Sequence, residues 1–205
     1  MKKYSLVIWT LYNAIGLGIG FLLFLQLGMI IEYGLDTEMY WKLIPPENKF
    51  ITYVGLLLSA LLLGATVGFA QTLALISKEI RAMSWIMITA LGYGLIVLID
   101  WPLLFFDVLG RIPGPVEPFI VTVIGGIFAG IVQYFWFLKK GIKLKKWLYL
   151  WIIGLIFSVV PTALFFTFIP ISSWPLEVFI NGFIIGGFAS LVSGKALFNE
   201  LSNRS

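Results

Sequence analysis

The chain has 205 residues, of which 60% are hydrophobic and 12% are charged, and its formal net charge is +4. A soluble domain exposes much of its surface and carries about 25% charged residues, so this composition excludes an ordinary soluble fold and favours a lipid bilayer as the solvent. The absence of Cys and His excludes disulfides, thiolate or imidazole metal sites, and a Cys nucleophile or His base, and we expect neither metal nor cofactor.

Six apolar stretches are long enough to cross the hydrocarbon core, which needs about 20 apolar residues. The first runs from Ser5 to Ile31 without a small-residue cleavage site after it, so we expect a retained helix and not a signal peptide. The others lie at about 51–76, 83–100, 118–138, 147–169 and 176–197. The sequence therefore predicts an all-α membrane protein whose six transmembrane helices form one domain over residues 1–205.

Basic residues are distributed unequally between the two sides of these helices. Eleven lie on the side of the termini, and only Lys42, Lys49 and Arg111 lie on the other side, beside seven acidic residues. The positive-inside rule places the more basic side in the cytoplasm. We therefore expect a multi-pass protein of a cell membrane with both termini cytoplasmic. Basic residues confined to such short loops do not indicate a nucleic-acid partner.

An internal repeat relates the second and third predicted helices to the fourth and fifth. A shift of 62 residues superposes Gln71 on Gln133 and Trp85 on Trp147, with the shared pattern G-x3-G-x2-Q, a short basic loop and W-x6-G. In a partial third copy, Ser193 replaces the Gln. The repeat predicts three similar hairpins around a pseudo-threefold axis along the membrane normal. These hairpins span about 5–77, 83–138 and 146–198.

The repeated small residues predict close packing between helices. Gly64, Gly68 and Gln71 stand at i, i+4 and i+7 and therefore share one helix face. Small residues four apart let the backbones of two membrane helices approach closely. The predicted packing positions are Gly16, Gly64, Gly68, Gly92, Gly126, Gly130, Gly154, Gly186 and Ser190.

Four polar residues are candidates for a binding site, namely Gln71, Gln133, Ser193 and Asp100. The first three stand at equivalent repeat positions, where they either hold neighbouring helices together or form a polar ring that binds a solute. Asp100 lies near the predicted outer end of its helix, where a carboxylate is either hydrated or contacts an ion or substrate. Asn13 is expected to bond to a neighbouring helix. Since Asp100 offers only half of an acid–base pair, we do not expect an enzyme.

The repeated tryptophans Trp9, Trp85 and Trp147 are expected to anchor the protein at the membrane interface. The alternative is that their rings line a ligand pocket. Pro102 and Pro161 are expected to kink their helices, because a proline leaves one backbone carbonyl without its helical donor.

The hairpin pattern, from Gly64 to Gly92 and from Gly126 to Gly154, resembles one in small uncharacterised bacterial multi-pass membrane proteins. In size and topology the chain is also similar to the substrate-binding subunits of energy-coupling-factor transporters. That resemblance implies six helices, cytoplasmic termini and docking on a partner through small residues spaced by four in the first helix. The residues with this spacing are Gly16 with Gly20, and Ala14 with Gly18.

These features lead us to expect a non-catalytic membrane component that binds or transports a small solute, with Gln71, Gln133 and Asp100 as the residues to test. The main alternative is a structural or accessory subunit that docks on another membrane protein through its glycine faces. A weaker third option is an intramembrane enzyme, which would need Asp100. The lipid bilayer is the expected partner in all three cases.

Overall fold

The computed structural model describes residues 5–34, 46–75, 81–105, 116–169 and 171–202, with the backbone alone described at 28–34, 46–52, 99–105, 116–121, 174 and 202. Regular structure within these residues is entirely helical, which confirms the expected all-α class. The helices are α1 (Leu6–Gly34), α2 (Pro46–Leu75), α3 (Ala82–Phe105), α4 (Val116–Lys139), α5 (Lys145–Phe157), α6 (Val159–Phe168) and α7 (Trp174–Ser202).

Five stretches of the described chain are long and apolar enough to cross a membrane, which agrees with a multi-pass membrane protein. They are Leu6–Leu27, Tyr53–Leu75, Thr122–Lys139, Lys145–Phe168 and Pro175–Leu201. The sixth expected stretch, 83–100, forms α3, but its part with described side chains, Ala82–Leu98, is shorter than the other five. The side chain of Asp100 lies outside the described residues, so its expected role stays a prediction.

The helices form a closed ring that follows the order of the chain. α1 packs against α2, α2 against α3, α3 against α4, and α4 against α5. The ring closes because α5 packs against α7 and α7 packs against α1. Large side chains such as Trp9, Trp85, Phe137 and Trp147 are fully buried within the bundle. Residues such as Phe69 are exposed on its surface, as expected where lipid tails replace water.

The helices α5 and α6 belong to one membrane stretch that breaks at Ser158. Pro161 lacks the N–H that would bond to the carbonyl of Phe157, and its ring crowds that carbonyl. The backbone N–H of Ser158 still donates to the carbonyl of Gly154, at 3.0 Å. The break expected near Pro161 is therefore confirmed, whereas α3 continues past Pro102 to its end at Phe105.

A tight turn joins α4 to α5 and carries basic residues at Lys139, Lys140, Lys143, Lys145 and Lys146. The N–H of Ile142 donates to the carbonyl of Phe137, and that of Gly141 donates to the carbonyl of Leu138, each at 2.9 Å. This is the Schellman motif, which ends a helix on a residue in the left-handed conformation. Gly141 supplies that conformation with a φ of 75°.

Glu200, near the end of α7, holds the start of α5 in place. Its carboxylate accepts hydrogen bonds from the backbone N–H groups of Lys146 and Trp147. The residue before α5, Leu144, makes no side-chain cap of its own. A carboxylate at a helix N-terminus is favourable because it accepts unpaired N–H groups and opposes the helix dipole. Glu200 therefore caps α5 from a distant part of the chain.

Candidate functional site

Four helices contribute polar side chains to one buried group, which we call the amide cluster. Its members are Asn13 of α1, Gln71 of α2, Trp85 and Thr89 of α3, and Gln133 of α4. None of these side chains is more than 1% exposed to solvent. None is ionisable at neutral pH, so the cluster joins the helices through neutral hydrogen bonds.

Gln71 is the centre of the amide cluster. Its Nε2 donates to Asn13 Oδ1 at 2.8 Å, and its Oε1 accepts from Trp85 Nε1 at 2.9 Å. The same Oε1 also accepts from Gln133 Nε2 at 3.0 Å. Both lone pairs of this oxygen are therefore used, and one side chain connects α2 to α1, α3 and α4.

Gln133 and Thr89 complete the amide cluster on the side of α3 and α4. Gln133 Nε2 donates to Thr89 Oγ1 at 2.7 Å, in addition to its bond to Gln71. Thr89 Oγ1 in turn donates to the backbone carbonyl of Trp85 at 2.8 Å. Gln71 and Gln133, which stand at equivalent repeat positions, are therefore bonded to each other directly.

The third repeat position does not bond to the amide cluster. Ser193 is fully buried, but its hydroxyl donates to the carbonyl of Ala189 in the same helix, at 2.8 Å. The Ser190 hydroxyl likewise donates to the carbonyl of Gly186, at 2.6 Å. A hydroxyl on a short side chain reaches the preceding helical turn more readily than a neighbouring helix. The polar group is consequently asymmetric, with two Gln positions joined and Ser193 separate.

Trp9, Trp85 and Trp147 are enclosed by protein, whereas the sequence led us to expect rings at the membrane surface. All three are 0% exposed. The ring of Phe137 lies between two of them, with centroids 5.2 Å from Trp85 and 6.5 Å from Trp147. The physical reason is that these indoles pack inside the bundle, where Trp85 also donates to Gln71. Trp136, by comparison, contacts the Lys140 ammonium.

The glycine after each repeated tryptophan contacts the next helix of the ring in the same hairpin. A Cβ added at Gly16 would lie 2.6 Å from Ala70 Cβ and 3.5 Å from Val67 Cα. A Cβ at Gly92 would overlap the backbone of Ala129. One at Gly154, a contact between α5 and α7, would lie 2.7 Å from the Cα of Ala189.

The glycines of the G-x3-G-x2-Q helices face the neighbouring hairpin. A Cβ added at Gly64 would lie 2.7 Å from Ala90 Cα, and one at Gly68 would lie 2.9 Å from Ile86 Cα, so α2 and α3 approach backbone to backbone. Gly186 is as close to α1, since its added Cβ would lie 2.5 Å from the Asn13 carbonyl oxygen. Gly126 and Gly130 meet side chains instead, those of Leu155 and Tyr93 at Gly126 and those of Trp151 and Leu148 at Gly130.

Several buried polar atoms have no hydrogen-bond partner. They include Gln133 Oε1, Trp147 Nε1, Trp9 Nε1 and the Tyr93 hydroxyl. An unpaired polar group in a dry interior costs about 1–3 kcal/mol, so such atoms are expected at sites that bind something or store strain.

Sequence reasoning found Gln71, Gln133 and Asn13 but missed Thr89 and the donor role of Trp85. The expected bond from Asn13 to a neighbouring helix is confirmed by its contact with Gln71. Thr89 lies one helical turn after Trp85 and therefore shares its face, which is a signal that helical spacing alone could have supplied. Comparison of the chain with protein-family models, curated proteins and solved structures finds no match.

Proposed function

We propose that this protein is a non-catalytic component of the cell membrane that binds or transports a small solute at the amide cluster. The observation that carries the proposal is the unpaired acceptor Gln133 Oε1, which lies in a buried group of otherwise bonded amides. Membrane helices gain only about 0.6–2 kcal/mol from each bond between them, so helix association alone is a weak reason to bury a half-satisfied Gln. The lack of any ionisable group in the cluster supports a role without acid–base chemistry.

The proposed architecture has six membrane spans in three hairpins around a pseudo-threefold axis. Contacts at matching positions support it, since Gly92 and Gly154 meet Ala129 and Ala189. The first hairpin is similar, with Gly16 against Ala70 and Val67. The concentration of lysines between α4 and α5 supports the orientation with both termini in the cytoplasm.

The alternative of an accessory subunit that docks through its glycine faces has less support. The glycines spaced by four in α1 already contact helices of the same chain, because Cβ atoms added at Gly16 and Gly20 would meet Ala70 and Leu63. Gly18 faces Phe179 of α7 in the same way. These faces are therefore occupied within the bundle. The docking mode implied by the resemblance to energy-coupling-factor subunits would need a different surface.

Native mass spectrometry of the tagged protein, released gently from its own membrane, tests the proposal. We expect a small-molecule adduct that is lost in Gln133→Met and retained in Ser193→Ala, because only the Gln side chain belongs to the amide cluster. A stoichiometric second protein without an adduct would overturn the proposal in favour of an accessory subunit. Detection of the protein alone, without an adduct or a second protein, would overturn the proposal as well.

A further inference from the structure

The interface between α4 and α5 is packed differently from the two equivalent interfaces, α2 with α3 and α7 with α1. At those two interfaces, the atoms nearest to Cβ atoms added at Gly64 and Gly186 include backbone atoms of the neighbouring helix. At the α4–α5 interface, a Cβ added at Gly126 would meet only side chains, with Leu155 Cδ1 nearest at 3.0 Å. The backbones of α4 and α5 therefore stay farther apart.

Trp151 is the residue that separates these two helices. A Cβ added at Gly130 would lie 2.6 Å from its ring, and its Nε1 donates to the carbonyl of Gly126 at 2.9 Å. The repeat places Trp151 at the position of Thr89 in α3 and of Asn13 in α1. Both of those side chains are small enough for close helix contact, whereas an indole is not.

The separation coincides with a pair of polar atoms that lack partners. Between the first and second hairpins, Trp85 Nε1 donates to Gln71 Oε1 at 2.9 Å. With the shift of 62 residues, the equivalent atoms are Trp147 Nε1 and Gln133 Oε1. Both of these atoms are buried and unpartnered, and their side chains are 0% and 1% exposed. A donor and an acceptor thus belong to the interface that Trp151 widens.

We infer that a small uncharged molecule binds between α4 and α5, accepting a hydrogen bond from Trp147 Nε1 and donating one to Gln133 Oε1. The inference rests on the proposed function and names its ligand class. The ligand needs one acceptor and one donor on neighbouring atoms, as in a primary amide or a urea. An uncharged ligand fits because Trp147 Nε1 and Gln133 Oε1 are both neutral and burial of an unpaired charge is costly. The Glu200 carboxylate, which approaches Trp147, already accepts from the backbone N–H groups of Lys146 and Trp147.

The ring of Trp151 forms one wall of this site. It is stacked on Trp147 with the centroids 6.3 Å apart and an angle of 27° between the planes. Phe137 packs edge-on against Trp147 on the same helix face as Gln133, one turn farther along α4. Flat aromatic walls with one donor and one acceptor favour a small planar molecule.

Nuclear magnetic resonance of the indole N–H groups tests the inference, with protein in lipid nanodiscs and acetamide as the probe. Acetate and methylammonium serve as charged probes of similar size, and each indole signal is assigned by a Trp→Phe variant. We expect acetamide to shift the Trp147 signal saturably and to leave Trp85 unchanged, since Trp85 is already bonded to Gln71. The charged probes should have no effect.

Two variants keep this test independent of folding. Gln133→Met removes the acceptor and should abolish the acetamide shift of Trp147, and Ser193→Ala is the matched control that should preserve it. If Gln133→Met fails to fold, Trp147→Phe replaces the indole by a phenyl ring and so removes the donor, and should prevent saturable binding of labelled acetamide.

The outcomes separate failure of this inference from failure of the proposed function. An adduct in native mass spectrometry together with an unresponsive Trp147 overturns the inference and leaves the proposed function standing. Equal shifts with acetate or methylammonium overturn the ligand class. A bare chain in the mass spectrometer and no response to any probe overturn both. The Trp147 signal can also be compared between the natural protein and Gln133→Met, with and without acetamide. If the substitution shifts this signal by the same amount in both conditions, the two residues bond to each other directly, which also overturns the inference.

Discussion

At the scale of single residues, Gln71 joins more helices than any other described side chain of the amide cluster. Its two oxygen lone pairs and one amide N–H serve three partners, Asn13, Trp85 and Gln133. Thr89 and Gln133 make their own bond without it. Loss of Gln71 therefore affects α1, α2 and α3 together, whereas α4 keeps one of its two bonds in the cluster, the one to Thr89.

Replacement of Gln71 by Leu should lower the free energy of unfolding by about 2 kcal/mol, because three interhelical bonds worth about 0.6 kcal/mol or more each are lost. Reversible unfolding in mixed micelles with increasing sodium dodecyl sulfate measures this change. Thr66→Val, on the same helix, is the matched control, since the Thr66 hydroxyl bonds only to the Leu62 carbonyl in its own helix. Equal losses in the two variants would contradict the central role of Gln71.

Gly92 is the glycine at which an added methyl group should lower the free energy of unfolding most. The Cβ of Gly92→Ala would overlap the backbone of Ala129, so α3 and α4 would have to move apart, at a cost of about 1–3 kcal/mol. Gly187→Ala is the control, because its Cβ would lie 3.4 Å from Ala14 Cβ in ordinary contact. The same micelle unfolding measures both. A fully stable Gly92→Ala protein would rule out close backbone contact at this position.

The candidate residues differ in how far the sequence could identify them. The repeat pointed to Gln71 and Gln133 because a Gln in an apolar helix is costly and its spacing recurs. It could not assign the bonding of Ser193, because a hydroxyl can bond to its own helix as easily as to another. The burial of Trp9, Trp85 and Trp147 was also beyond the sequence, since tryptophan suits both the interface and the interior.

At the scale of helices and turns, the Schellman motif at Gly141 ends α4 and directs the chain into α5. No atom would contact a Cβ added at Gly141. The destabilisation by a side chain there therefore comes only from its strained left-handed conformation. We expect Gly141→Ala to lower the free energy of unfolding by about 1 kcal/mol, and Gly141→Asn to cost less because Asn tolerates this conformation. Thermal unfolding in detergent compares the two. Identical destabilisation by Ala and Asn would contradict a cost that arises from φ.

Helices were predictable from the sequence because the length of an apolar stretch is a local property. The expected 118–138 and 147–169 correspond to α4 and to α5 with α6, within a few residues. Pro161 gave the break between α5 and α6 for an equally local reason. The cap that Glu200 provides for α5 depends on a contact between distant parts of the chain, and no sequence pattern indicated it.

At the scale of the whole molecule, the ring of helices closes where α1 meets α7. Gly182 lies so close to α1 that its added Cβ would be 2.6 Å from the carbonyl oxygen of Leu17. The order of the helices around the ring follows the order in the sequence. Closure between the first and last helices was implied only by the repeat, because hydropathy gives no information about which spans are neighbours.

Ring closure predicts that a disulfide forms in the double variant Ala14→Cys, Gly187→Cys. The two Cβ atoms would be 3.4 Å apart, close to the separation of about 3.5–4.5 Å found in disulfides. The natural chain has no Cys, and Ala14 is buried, so loss of maleimide labelling in the oxidised and then unfolded protein reports this bond alone. Gly187→Cys with Leu58→Cys, an exposed residue of α2, is the control and should keep both thiols free. Full labelling of the Ala14 pair would contradict contact between α1 and α7.

The pairing of α1 with α7 has a consequence for biogenesis. The ribosome completes α1 first and α7 last, so the nascent chain must insert every other span before the first helix meets its final neighbour. Until then, the face of α1 that carries Gly18 has lipid or the insertion machinery in place of Phe179. Asn13 differs, because Gln71 can bond to it as soon as α2 has inserted. Early polar pairing thus keeps the opening hairpin intact during synthesis until the last helix arrives.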